Sequence, residues 1–168
     1  MSPALVLVGP PGSGKSTIAA LVAERLGTAY RDTDADIEAT AGKPISDIFV
    51  DSGEGAFRAL ERHAVVEALT RDGVLSLGGG AILDPATRAD LSEHVVVFLD
   101  VGLAEAAKRV GLGTSRPLLL GNVRGQLKKL MDNRRPLYHE VARHTVLTDG
   151  RTPADIADEV LAEVLKDA

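Results

Sequence analysis

The run GPPGSGKST, from Gly9 to Thr17, follows the apolar stretch ALVLV and opens a segment of helical period. It matches G-x-x-x-x-G-K-[ST] at every fixed position, in the strand-then-helix context that gives the pattern its meaning. Its glycines let the backbone curl so that successive N–H groups point inward at an anion, and the following helix adds its positive N-terminal end. A plain glycine-rich turn with a surface lysine is the alternative, and the context speaks against it. Gly12, Ser13, Gly14, Lys15, Ser16 and Thr17 are therefore expected to hold the phosphates of ATP. Lys15 would reach the β and γ phosphates, and Ser16 would offer its hydroxyl to Mg2+.

A loop of this kind belongs to an α/β fold, and the rest of the chain follows that pattern. Residues 4–8, 73–77, 95–99 and 144–148 are near-continuous apolar or β-branched runs, as in parallel strands covered on both faces. Between them KSTIAALVAERLG reads as a helix stopping at Gly27. A segment from Phe57 carries Leu60, Ala64 and Ala68 at helical spacing. A last helix has Thr152 as N-cap, Pro153 at the first helical position and Asp155 completing a capping-box pattern. Residues 111–125, with four glycines and a proline around Arg116, have the composition of a mobile loop.

At 168 residues and 17.6 kDa the chain suits one domain. Its net charge of −5 argues against an extended nucleic-acid groove. With no cysteine, disulfides and thiolate metal sites are ruled out. ALVLV is too short for a signal-peptide core or a membrane span, so a soluble, unexported cytoplasmic protein without a membrane partner is expected. No aspartate is followed by glycine three residues later and no asparagine precedes a lysine, so the elements of a switch GTPase are missing. A small-metabolite kinase fits the length best.

Three clusters bear on the acceptor. In DTDADIE, Asp32 and Asp34 lie two apart after a short strand, so in extended chain both carboxylates enter one cleft; the alternative is an acidic turn capping the next helix. In GAFRALER, Arg58 and Glu61 lie one helical turn apart, either as a surface ion pair or as a carboxylate holding a guanidinium for an anionic ligand. In LGGGA, Gly78, Gly79 and Gly80 end a strand, either as a tight turn or as bare backbone that a polyhydroxy ligand can approach.

Taken together and in order, GPPGSGKST, DTD, FRxLE, LGGGA, RPLL and RxPLY resemble shikimate kinase along nearly the whole chain. The resemblance implies a three-layer P-loop fold with a five-stranded parallel sheet, a substrate-binding helical region at about 32–62 and a lid at about 111–125. It also implies transfer of the ATP γ-phosphoryl group to the 3-hydroxyl of shikimate, on the chorismate route to aromatic amino acids. By the same resemblance Lys15, Asp34 and Arg116 are catalytic, Asp32 joins Ser16 in holding Mg2+, and Arg58 and Arg134 grip the substrate carboxylate. Gly78, Gly79 and Gly80 give backbone contacts, while Arg109 and Arg151 flank the nucleotide. A monomer is expected. The rival readings are a gluconate-type sugar-acid kinase and a nucleotide-binding regulatory protein that needs no acceptor.

Overall fold

The computed structural model describes residues 2–109 and 123–166. Five strands, β1 (Leu5–Val8), β2 (Tyr30–Asp32), β3 (Val74–Ser76), β4 (Val96–Asp100) and β5 (His144–Leu147), form one sheet in the order β2-β3-β1-β4-β5. Every pairing is parallel. The helices are α1 (Lys15–Leu26), α2 (Thr33–Ala41), α3 (Ile45–Ala68), α4 (Pro85–Leu91), α5 (Leu103–Arg109), α6 (Val123–Val141) and α7 (Pro153–Lys166), with a short 3-10 turn at Ala81–Leu83. The expected three-layer parallel α/β fold is observed.

The central strand shows why its sequence is continuously apolar. Leu5 and Leu7 pack toward Ile18, Val22, Ile156 and Val160 of α1 and α7, whereas Val6 and Val8 pack toward Val65, Leu91 and Tyr138 on the opposite face. Successive side chains point to opposite faces of a strand, so a strand with helices on both sides has no position left for a polar residue. A third cluster, Ile37, Ile48 and Phe57, fastens α2 to α3 beside the sheet edge, and a fourth joins Val101, Ala106 and Met131 between α5 and α6.

Helix ends follow the chemistry of their sequences. Gly27 closes α1 in the left-handed conformation at φ 68°, with its N–H on the Ala23 and Glu24 carbonyls. The Asp155 N–H donates to Thr152 Oγ1 at 3.1 Å, the N-cap bond expected for α7. One expectation is corrected: the long helix begins at Ile45 rather than near Phe57. It runs through Gly53 and Gly55, with Gly53 alone leaving helical geometry at φ 84°, ψ 171°. Glycines read as breakers in sequence; here one makes a kink and the helix resumes because Ile48 and Phe57 on its two sides share the same small core.

Candidate active site

The carboxyl ends of β1, β2 and β3 meet where α1 and α2 begin. Gly12 (φ 81°) and Gly14 (φ 89°) take left-handed backbone that only glycine adopts easily, turning β1 into α1. No side chain caps α1. Its first N–H groups are therefore left open to an anion, and the helix dipole favours negative charge there. The Lys15 ammonium donates to the carbonyls of Gly9 at 2.7 Å and Pro10 at 3.1 Å. Burial lowers its pKa from 10.5 to about 8, against the opposing pull of the Asp34 and Asp32 carboxylates, while Arg134 adds to the lowering.

Strand register sets the acidic pair. Asp32 lies opposite Ser76 of β3, which lies opposite Leu7 of β1. The Ser16 hydroxyl donates to Asp32 Oδ2 at 2.7 Å, while Asp32 Oδ1 accepts the Asp34 N–H at 2.8 Å and so caps α2. The expectation of an extended DTD segment is thus corrected. Asp34 lies in the first turn of α2, and both sequence readings hold together: one aspartate caps the helix and both carboxylates line the cleft with Lys15 and Ser16. That cleft, about 270 Å3, is bounded by Gly12, Lys15, Asp32, Asp34 and Leu77. Burial raises the Asp34 pKa above the ordinary carboxylate range, helped by the neighbouring Asp32 charge and opposed by Lys15.

The glycine turn after β3 lies against every other part of the site. A methyl group added at Gly78 would meet Asp34 Oδ1 at 2.5 Å and Glu61 Oε2 at 3.1 Å. One at Gly79 would meet Arg134 Nη1 and the Gly9 carbonyl at 3.5 Å. One at Gly80 would meet the Arg58 guanidinium nitrogens at 2.5 and 2.7 Å. Gly78 and Gly80 are thus required by space, because a side chain at either would displace a charged group of the site, whereas the contacts at Gly79 are ordinary ones. Arg58 donates to Glu61 Oε1 at 2.8 Å, and Glu61 is buried, 4% exposed. Burial pushes the Glu61 pKa up and the Arg58 guanidinium holds it back. Arg58 Nε is buried and makes no hydrogen bond. Arg58 is therefore hydrogen-bonded through Nη1, with the Glu54 carboxylate 3.7 Å from its Nε, and lies over the ring of Phe57 at 5.3 Å. Phe49 lies tilted against Phe57, with ring centroids 4.7 Å apart.

On the far side of the phosphate loop a second cleft of about 330 Å3 is lined by Ser13, Thr17, Arg109, Arg151, Pro153 and Ile156. Arg109 donates to the Gly12 carbonyl at 2.9 Å and to Thr148 Oγ1 at 3.2 Å. Arg151 donates to the Leu147 carbonyl and to Glu159. Arg135, the residue after Arg134 on α6, pairs instead with Asp100 at 2.6 Å. Arg116 and most of the expected lid lie outside the described residues.

Two site-building residues carry no signal of their own. Thr33 Oγ1 accepts the Gly78 N–H at 3.1 Å, and the Tyr138 hydroxyl donates to the Gly79 carbonyl at 2.6 Å. Both lie inside motifs, DTD and RxPLY, but no spacing rule pairs them with a turn some 45 or 59 residues away.

Comparison with known proteins agrees with this geometry. The family model for shikimate kinase matches residues 11–165. A shikimate kinase of Salinispora arenicola is 60% identical over 163 residues, covering 96% of this chain and 98% of the relative. Another of Streptomyces avermitilis is 60% identical over 168 residues, covering 99% and 98%. Among solved structures, a shikimate kinase from Acinetobacter baumannii in complex with shikimate superposes with a TM-score of 0.91 at 35% identity, covering 99% of this chain and 94% of that one. With its phosphate loop, paired aspartates and twin arginines gathered at one strand edge, this chain belongs to the shikimate kinase family, ATP-dependent enzymes that phosphorylate shikimate.

Proposed function

We propose a division of labour among these residues for the family reaction, transfer of the ATP γ-phosphoryl group to the 3-hydroxyl of shikimate. The observation that supports it is convergence. Arg58 and Arg134, on α3 and α6, both reach the glycine turn against which Asp34 rests. Arg58 and Arg134 take the shikimate carboxylate, since a planar guanidinium donates bidentately to such a group. The Gly79 and Gly80 N–H groups take ring hydroxyls. Asp34 accepts the hydrogen of the attacking hydroxyl and aims its oxygen at the phosphate. Lys15 and the open N–H groups of α1 neutralise charge on the transferring phosphoryl oxygens, where little covalent help is needed. Arg109 and Arg151 flank the adenine in the second cleft.

One hydroxyl and one carboxylate, Ser16 and Asp32, suit Mg2+, a hard ion that keeps several waters and takes its remaining oxygens from phosphates. Held by Ser16 and Asp32, Mg2+ would supply positive charge to offset that of the phosphates. In this reading the chain acts as one kinase domain and a monomer in a reducing cytoplasm. Among the described residues no helix is long and apolar enough to cross a membrane.

The test is ADP release across a set of acceptors. A site built on two half-buried guanidiniums rejects neutral polyols by about 10⁴-fold in kcat/KM, because its donors would lose their partner. Turnover of glycerol at a rate comparable to shikimate would show the arginine assignment to be wrong. ADP release indifferent to any acceptor would instead favour the regulatory reading.

A further inference from the structure

The glycine turn is flexible by composition, yet two buried side chains pin it from opposite sides of the sheet edge. Thr33, on α2, accepts the Gly78 N–H. Tyr138, on α6, donates to the Gly79 carbonyl at 2.6 Å from a side chain that is 1% exposed. Its ring stacks on Phe98 at 4.9 Å, which fixes where the hydroxyl ends. Burial pushes the phenol up to about 12, so it stays protonated and a donor throughout the working range.

The carbonyl of Gly79 and the N–H of Gly80 belong to one peptide unit. No peptide bond in the described residues is cis, so within that rigid plane the two groups point in opposite directions. Drawing the carbonyl toward Tyr138, into the core between β4 and α6, aims the Gly80 N–H the other way. The Arg58 guanidinium lies on that residue, and the Gly80 N–H makes no hydrogen bond among the described residues. Arg134 lies one turn before Tyr138 on α6, and its Nη1 would stand 3.5 Å from a methyl group at Gly79, the residue whose carbonyl takes the phenol hydrogen. One hydroxyl thus orients a backbone donor that lies beside both arginines.

We propose that Tyr138 is a positioning residue for shikimate, setting the direction of the Gly80 N–H without touching the substrate. The inference rests on the reading of this cleft as the shikimate site. It makes Tyr138 a determinant of acceptor affinity and leaves nucleotide affinity alone, because the phosphate loop draws none of its own hydrogen bonds from Tyr138.

Tyr138→Phe keeps the ring against Phe98 and removes only the hydroxyl. The expected result is a shikimate KM raised about tenfold, with the ATP KM within about twofold, the size of one lost preorganising hydrogen bond. An unchanged shikimate KM would overturn the proposal. So would a parallel rise in both KM values with a lowered melting midpoint, which would make Tyr138 a core residue and nothing more. An independent measurement uses the unaltered protein, where shikimate alone should move the Gly80 amide resonance; a resonance that stays put would equally overturn it, even if the variant fails to fold. Arg58→Ala and Arg134→Ala separate the two levels. If they leave the shikimate KM unchanged, the reading of the cleft is wrong. If they raise it strongly while Tyr138→Phe does not, only the positioning role falls.

Discussion

Lys15 carries a charge in a place that resists it. Its pKa falls from 10.5 to about 8 because burial disfavours the ammonium more than Asp34 and Asp32 favour it. The folded protein therefore releases this proton earlier than the unfolded chain does. The cost that burial imposes on folding is fully present below pH 8 and fades as pH rises toward 10.5. Nucleotide binding has the opposite preference, since the phosphates need the ammonium. The KM for ATP should rise as pH climbs through about 8, while kcat, measured with ATP already pulling the pKa upward, should hold to higher pH. Paired pH profiles of kcat and kcat/KM check this; coincident alkaline limbs would count against it. At this scale the sequence told most about residues whose chemistry is tied to a local motif. Lys15, Ser16 and the two aspartates fall within 20 residues of one another and were legible by spacing. Thr33 and Tyr138 were not, because a hydroxyl that bonds a distant backbone atom leaves no periodicity behind.

Among the elements, the turn Gly78–Gly80 shows how packing can dictate composition. Gly80 has φ −100°, which any residue can adopt, so its requirement is purely spatial. A methyl there meets the Arg58 guanidinium at 2.5 and 2.7 Å. Since Glu61 already holds Arg58 from the other side, the guanidinium must leave its place. Gly80→Ala should raise the shikimate KM by about 10²-fold, the cost of displacing one substrate-orienting group by about an ångström, with ATP binding intact. Steady-state kinetics for both substrates check it; equal loss toward ATP would show that the turn serves the phosphate loop instead. Helix α3 illustrates the limit of reading elements from sequence. Its helical period after Phe57 was plain, but its first two turns were hidden behind Gly53 and Gly55. Continuity there depends on contact with Ile37 of α2, which no window along α3 contains.

For the whole molecule, 24 acidic residues outnumber 19 basic ones, yet Lys15, Arg58 and Arg134 all face one cleft. Attraction for anionic substrates is therefore local, as the net charge suggested. The layered fold was legible because both faces of the sheet demand apolar strands, whereas the strand order had to come from three dimensions. Because Glu61, Thr33 and Tyr138 hold Arg58 and the glycine turn by contacts within the chain, the proposed acceptor site is preorganised and shikimate alone should stabilise the protein. At about a hundredfold its Kd the gain is about 2.7 kcal/mol, or roughly 5–10 °C in melting midpoint. Thermal unfolding with shikimate and no nucleotide measures this, and an unmoved midpoint would mean the site forms only after ATP binds. Finally, the Gly9 and Pro10 carbonyls that the Lys15 ammonium meets belong to the same loop, so this cation has oxygens within its own motif to rest on. Departure of ADP would then trade one set of oxygens for another, and product would leave without stranding a cation.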